Sequence, residues 1–216
     1  FPYTTLFRSV LRKKAGDTLH VTNGKGWLFT VDIISDNHNK CVGVITEKKY
    51  QEPQQLYLHV LIAPTKMNDR MEWFLEKATE IGISEITPIL CDHSERKTIK
   101  TDRFERVLQS AMKQSLQFHL PKLNALTPFS EVIGQNFEGQ KFVAHCEDDK
   151  KRLPMQNEIT SNRLTILIGP EGDFSLEEIQ QALDYNWLPV TLGNTRLRTE
   201  TAGIVATTIA NLKFTD

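Results

Sequence analysis

The chain has 216 residues, 39% of them hydrophobic and 25% charged, with a formal net charge of −1. That apolar content can build a core, which excludes a disordered polyelectrolyte. No apolar run reaches the roughly 20 residues that span a bilayer, and the basic start lacks the apolar stretch of a secretory signal, so a cytoplasmic globular protein is expected.

The three cysteines, Cys41, Cys91 and Cys146, are far apart with no CxxC spacing, which suits reduced thiols and gives no zinc pattern. Charge is uneven. Residues 1–50 hold eight Lys and Arg against four Asp and Glu, and the remainder eighteen against twenty-three. A basic amino-terminal piece on an acidic body suits docking on a polyanion, although four excess charges are also ordinary surface variation.

Residues 19–22, 27–31 and 41–45 read as short strands, the first two joined at Asn23-Gly24, a strong hairpin signal. Trp27 and Phe29 share a face, which favours core packing over stacking on a base. A small β domain is expected over 1–52, then an aperiodic linker around 51–55.

From Tyr57 the pattern changes to strands alternating with helices. A strand over 57–62 leads to a helix in which Met71, Phe74, Leu75, Ala78 and Ile81 share one face before Gly82 stops it. A strand over 86–90, a helix over 103–118, and strands over 141–145 and 164–168 follow. The next helix opens at Ser175-Leu176-Glu177-Glu178, a capping box. A strand over 188–192 and a helix over 199–212 complete a second domain spanning 57–216. Such alternation implies an α/β fold with a mostly parallel sheet covered on both faces. His145-Cys146-Glu147-Asp148-Asp149 gathers ligand-type side chains without a second pair, so it reads as a loop rim and no metal is expected.

Two segments carry the most information: Leu167-Ile168-Gly169-Pro170-Glu171-Gly172-Asp173-Phe174-Ser175, and Leu192-Gly193-Asn194-Thr195-Arg196-Leu197-Arg198-Thr199-Glu200-Thr201-Ala202. Each is a buried strand running into a glycine-bearing turn and then a helix, an arrangement that brings backbone close to a ligand. Neither is GxxxxGK[ST] or GxGxxG, which argues against an ATPase and a Rossmann dinucleotide enzyme. Thr199 or Thr201 stands where a hydroxyl caps a helix.

This pair of motifs resembles the signature of the RsmE family, the 16S rRNA uridine-N3 methyltransferases of the SPOUT superfamily. The resemblance runs from about Val10 to about Leu212. It implies a SPOUT trefoil-knot methyltransferase domain behind a small PUA-like RNA-binding β-barrel, S-adenosylmethionine as methyl donor, 16S rRNA of the small ribosomal subunit as partner, and a homodimer. Alternation of strands and helices does not itself reveal a knot. The resemblance further implies that Leu167, Gly169, Pro170, Glu171, Gly172, Leu192, Gly193, Leu197, Thr199, Thr201 and Ala202 line the cofactor pocket. Glycines there would admit an adenine or ribose without a β-carbon in the way.

Deprotonating uracil N3 leaves negative charge on the flanking carbonyl oxygens, and Arg198 is assigned to stabilise it with a fixed, permanently charged fork. Glu200 is expected to orient Arg198 or to accept the proton; a structural Arg-Glu pair is the alternative. The run matched by Lys66, Arg70, Glu72, Trp73, Lys77, Glu80 and Gly82, with Glu95, Arg96 and Lys100, also fits the family. Lys66, Arg70 and Arg96 are expected at phosphates or the target base, and Arg12, Lys13 and Lys14 at phosphates of the RNA.

Departures exist. Asp173 stands where many members have Gly, Asn194-Thr195-Arg196 shifts an arginine by one place, and the family's EQ..R segment reads Lys113-Gln114-Ser115-Leu116-Gln117. Residues 1–9 do not fit and read as an altered or truncated start. The rival readings are another SPOUT reaction on tRNA or rRNA, and a non-catalytic RNA-binding or ribosome-assembly protein.

Overall fold

The computed structural model describes residues 13–37, 40–147 and 151–214. The expectations for residues 1–9, Arg12, Asp148 and Asp149 lie outside them. The chain divides into two compact units, one of residues up to Pro53 with Leu116–His119, the other Gln54–Ser115 with Leu120 onward.

In the first unit, β1 (Thr18–Thr22), β2 (Trp27–Ser35) and β3 (Val42–Tyr50) form an antiparallel sheet in that order. The Asn23-Gly24 turn forms: the Asn23 side-chain oxygen accepts the amides of Lys25 and Trp27 at 2.8 and 3.3 Å, a local bond that holds the chain in its bend. Gly26 has φ +88, and a β-carbon there would stand 2.6 Å from the Tyr50 ring and 2.8 Å from His119. Leu19 and Ile33 are buried. Trp27 and Phe29 share a face as expected; the Trp27 ring is half-buried, stacks on Phe29 at 6.4 Å and leans on Tyr50 at 4.9 Å.

The second unit alternates strands and helices. Its strands are β4 (Tyr57–Ile62), β5 (Glu85–Leu90), β6 (Lys122–Leu123), β7 (Thr127–Pro128), β8 (Gln140–Ala144), β9 (Leu153–Pro154), β10 (Arg163–Ile168) and β11 (Leu188–Thr191). They pair in the order β6-β5-β4-β10-β8-β11-β9, with β7 beside β5, and every pairing is parallel. The helices are α1 (Asn68–Ile81), α2 (Thr101–Gln114), α3 (Phe129–Val132), α4 (Met155–Glu158), α5 (Leu176–Asp184) and α6 (Thr199–Leu212).

Alternate residues of the central strands face opposite sides. Leu58, Val60, Ile62, Leu164, Ile166 and Ile168 pack under Met71, Phe74, Leu75 and Ala78 of α1, Phe104 and Leu108 of α2, and Ala206 and Ala210 of α6. On the other face Leu61, Leu167 and Val143 meet Phe129 and Val132 of α3 and Ile179 and Ala182 of α5. Fully burying one such side chain is worth about 1.5–3 kcal/mol, so these two layers carry the fold. Gly203 lets α6 lie close to α1, since a β-carbon there would sit 2.6 Å from the Phe74 ring.

One helix is shorter than its periodicity suggests: α2 ends at Gln114 rather than 118. The Ser115 hydroxyl donates to the carbonyls of Ala111 and Met112 at 2.8 and 3.3 Å, and Leu116 takes φ +56, which turns the chain away.

Candidate active site at the carboxyl ends of the parallel strands

Four parallel strands deliver their carboxyl ends to one place, where α/β proteins bind ligands. The turn after β10 is at its centre. Ala63 donates its amide to the Ile168 carbonyl at 3.0 Å, so the segments after β4 and β10 leave the sheet together. Glu171 then accepts the Lys66 amide at 2.9 Å, tying the Gly-Pro-Glu-Gly turn to the approach to α1. From the β5 side, His93 Nδ1 lies 3.2 and 3.1 Å from the carbonyls of Gly172 and Asp173, where only a protonated nitrogen is favourable. The Ser175 hydroxyl reaches Asp92 at 2.7 Å.

The turn ends in the expected capping box. Ser175 Oγ accepts the Glu178 amide at 3.2 Å, and Glu178 Oε2 accepts the Ser175 amide at 2.9 Å. Its other oxygen accepts the Asp92 amide at 3.0 Å. Burial outweighs these bonds and holds the Glu178 carboxyl above its usual range.

Asp173 gives its departure a physical basis. Its φ is +65, a region that favours Gly and tolerates Asp. Its carboxylate accepts the Cys146 amide at 2.7 Å, and thereby ties the end of β8 to the turn, a bond Gly could not make. Burial, and then Asp173, push the Cys146 thiol up; burial does the same at Cys91, so neither is poised as a nucleophile.

The second turn closes against the first through Thr199. Its hydroxyl donates to the Gly169 carbonyl at 3.0 Å, so it bridges the two turns instead of capping its own helix. The N-cap of α6 is Arg198, without a side-chain cap bond. This corrects the capping role expected of Thr199. Pro170 is buried beside Gly169, Leu167 is fully buried in the core, Leu192, Leu197, Thr201 and Ala202 are half-buried, and Glu171 and Gly172 are exposed. Only the backbone of Leu167 can therefore serve a ligand.

The three glycines do different work. A β-carbon at Gly169 would press on the Phe174 ring at 3.1 Å, and one at Gly172 on His93 Cβ at 3.1 Å, so those two are needed for packing of the turn itself. At Gly193 (φ +151) nothing lies within 4 Å, which leaves room for a ligand against the backbone.

Arg198 is exposed and Glu200, two residues on, is only 5% exposed. Glu200 Oε1 lies 3.9 Å from Arg70 Nε, while Oε2 is buried without a hydrogen-bond partner. The carboxylate thus faces Arg70 of α1. Arg96 is a brace: its guanidinium donates to the carbonyls of Thr65 and Lys66 at 3.0 and 2.5 Å, and Lys66 pairs with Glu95 at 2.8 Å. Lys13 is half-buried and Lys14 exposed in the first unit. Among the described residues no group of three or more His, Cys, Asp or Glu is arranged to hold a metal ion.

Asp92 and His93 escaped the reading of the sequence, and Cys146 reads there only as part of a loop rim. Their signal is position alone: each falls just past the carboxyl end of a parallel strand, beside the motif Glu95-Arg96 or within the acidic run after His145.

Residues 52–211 match the family model described as the RNA methyltransferase domain. A ribosomal RNA small subunit methyltransferase E from Buchnera aphidicola (subspecies Acyrthosiphon pisum) is 30% identical over 96% of this chain and 84% of its own length. Among solved structures, a probable rRNA methyltransferase from Porphyromonas gingivalis is 39% identical, with a TM-score of 0.87 over 94% of this chain and 87% of that one. A putative methyltransferase from Legionella pneumophila, solved with bound S-adenosylmethionine, is 25% identical, with a TM-score of 0.87 over 97% and 88%.

Proposed function

Because the chain belongs to the RNA methyltransferase domain family, we propose that it methylates N3 of a uridine in 16S rRNA, with S-adenosylmethionine as donor. The observation that carries the reading is the Thr199–Gly169 bond, which joins the two glycine-bearing turns, the second of which leaves its backbone open at Gly193. These features fit the donor: backbone is free at Gly193, and the turn after β10 is fixed from three other strand ends before any ligand arrives. When bound, the donor supplies an electrophilic methyl group on a sulfonium.

The chain's own residues then have separable tasks. Gly169, Pro170, Glu171, Gly172, Leu192, Gly193, Leu197, Thr199, Thr201 and Ala202 hold the donor, with Leu167 contributing backbone. Arg198, exposed at the start of α6, faces the uracil oxygens that gain charge as N3 loses its proton. Glu200, whose buried carboxylate lies 3.9 Å from Arg70, orients Arg198 or accepts the proton released from N3. Arg70, with Lys66 and Arg96 behind it, presents positive charge to the RNA backbone. Lys13 and Lys14, with Arg12, extend that footprint onto a PUA-like first unit. The turns belong to a trefoil knot, and two copies form the working dimer in the cytoplasm.

The test is methylation of small ribosomal subunits, lacking the modification, by purified protein and labelled donor, followed by nucleoside mass spectrometry. Label in 3-methyluridine is expected. Label in a ribose-methylated or guanine product would overturn the assignment of N3, and light scattering reads the dimer.

A further inference from the structure

A cavity of about 440 Å³ lies toward the other end of the strands, near their amino ends. Its floor is built from Tyr57 and His59 of β4, Glu85 and Thr87 of β5, and Arg163 of β10. All of these occupy alternate positions near the amino ends of parallel strands and so face one side of the sheet. Thr165, the lining residue furthest along β10, stands four positions before Gly169, which puts about 13 Å of strand between this cavity and that turn.

The floor is a fixed polar network. Glu85 accepts hydrogen bonds from Tyr57, from Lys122 at 2.8 Å and from Asn124 at 2.6 Å. The same Asn124 amide reaches Thr87 Oγ1 at 2.6 Å, and that hydroxyl lies 2.7 Å from His59 Nε2. Burial pushes His59 down to about 4, so it is neutral. Burial alone would raise the Glu85 carboxyl, but the bonds from Lys122, Tyr57 and Asn124 prevail and bring it to about 2.

Charge and shape narrow the ligand. Glu85 offsets Lys122, and Glu138 pairs with Arg163 at 2.8 Å, so the charged groups of the lining cancel and favour neither an anion nor a cation. One wall is flat and apolar: the Phe137 ring, held edge-on by His59 at 5.7 Å and Trp187 at 5.5 Å. The Arg163 guanidinium lies 4.5 Å from the Tyr57 ring centre. Around them stand the side-chain amides of Asn124, Gln135 and Asn136. Asn124 spends its N–H groups on Glu85 and Thr87 and Gln135 donates to the Glu131 carbonyl, which leaves their carbonyl oxygens as acceptors. An uncharged planar ring with hydrogen-bonding groups on its edge, such as a nucleobase, fits this lining: its face against Phe137 and its edge toward the amides of Asn124, Gln135 and Asn136.

We propose that this cavity is a nucleoside-binding site, separate from the turns that hold the methyl donor. The nucleoside is either free or an unpaired residue of RNA. A volume of 440 Å³ falls in the range of roughly 300–1,000 Å³ typical of small-molecule sites. The proposal does not depend on which base the enzyme methylates.

Calorimetry of the intact protein with adenosine, guanosine, cytidine and uridine, and with trinucleotides centred on each, tests it. Saturable binding of at least one, undisturbed by saturating S-adenosylmethionine, is expected. A free nucleoside that binds identifies a small-molecule site, and binding by trinucleotides alone identifies an RNA residue. Gln135 and Asn136 are exposed, so Q135A with N136A should fold and should weaken that binding about tenfold, as loss of two hydrogen bonds predicts, with donor affinity unchanged. Phe137→Leu gives an independent second loss. Absence of binding up to millimolar concentration, displacement by S-adenosylmethionine, or indifference to both variants would overturn the proposal.

Discussion

Thr199 Oγ1 donates to the carbonyl of Gly169, 30 positions earlier, and that bond joins the two turns of the candidate site. Both groups are buried, so the hydroxyl satisfies a carbonyl that water cannot reach. Thr199→Val keeps the shape and removes the donor. It should cost about 1–3 kcal/mol of stability and weaken binding of S-adenosylmethionine several-fold, measured by thermal melting and calorimetry. Unchanged donor affinity in a folded variant would show that the turns hold their places without it.

Arg198 is the exposed N-cap of α6, and in the proposed reaction its guanidinium meets the charge that develops on the base. Arg198→Ala should leave donor affinity within about twofold and lower turnover by roughly 10²–10³, the usual loss for one transition-state donor. Arg198→Lys should recover only part, because a point charge lacks the planar fork. Single-turnover kinetics at saturating donor separates the two effects, and survival of turnover in the alanine variant would end the assignment.

Asp173 sets a strained backbone against a strong bond. Left-handed φ costs a non-glycine residue about 1–2 kcal/mol, less for Asp, whereas a carboxylate accepting an amide is worth about 1.5–3 kcal/mol. The bond wins. Asp173→Gly should therefore destabilise by about 1 kcal/mol, and Asp173→Ala, which keeps the strain and loses the bond to Cys146, by about 2–4 kcal/mol. Denaturant melts of both give the order, and a glycine variant more stable than the parent would reverse the balance.

Acid should unfold the protein through His59. Its pKa falls from 6.5 to about 4 on folding because burial disfavours the charged ring. Between those values the unfolded chain binds the extra proton, so this contribution is complete above pH 6.5 and is lost as pH falls to about 4. The most it can supply is about 3 kcal/mol. Glu85, depressed from 4.5 to about 2 by its bonds against the opposing effect of burial, continues the loss at lower pH. His59→Gln should flatten stability between pH 6.5 and 4, read from urea melts across that window.

Periodicity made much of the second unit legible. The run Met71, Phe74, Leu75, Ala78 closed by Gly82 marks α1, and Ser175 with Glu178 marks the start of α5, because local spacing and capping decide both. The early end of α2 was not legible, since a helical pattern persists past the point where Ser115 turns its hydroxyl onto the carbonyls of Ala111 and Met112. In the site, the two glycine-bearing turns stand out in sequence as strand ends. Their connections do not, because Glu171 meets Lys66, Asp173 meets Cys146 and Ser175 meets Asp92 only after the sheet has brought distant segments side by side. Thr199 looked like a cap for the same reason: its true partner, Gly169, is remote.

The pairing of β4 with β10 has a kinetic corollary. The register that sets Tyr57 against Arg163 closes a loop of about a hundred residues, and the ordering entropy of such a loop must be met before any contact rewards it. During synthesis β4 must wait for β10 to emerge, and α6, which supplies Thr199 and Glu200, is made later still. The candidate site is thus complete only once α6 has joined strands made well before it, which makes its assembly a late, long-range step of folding.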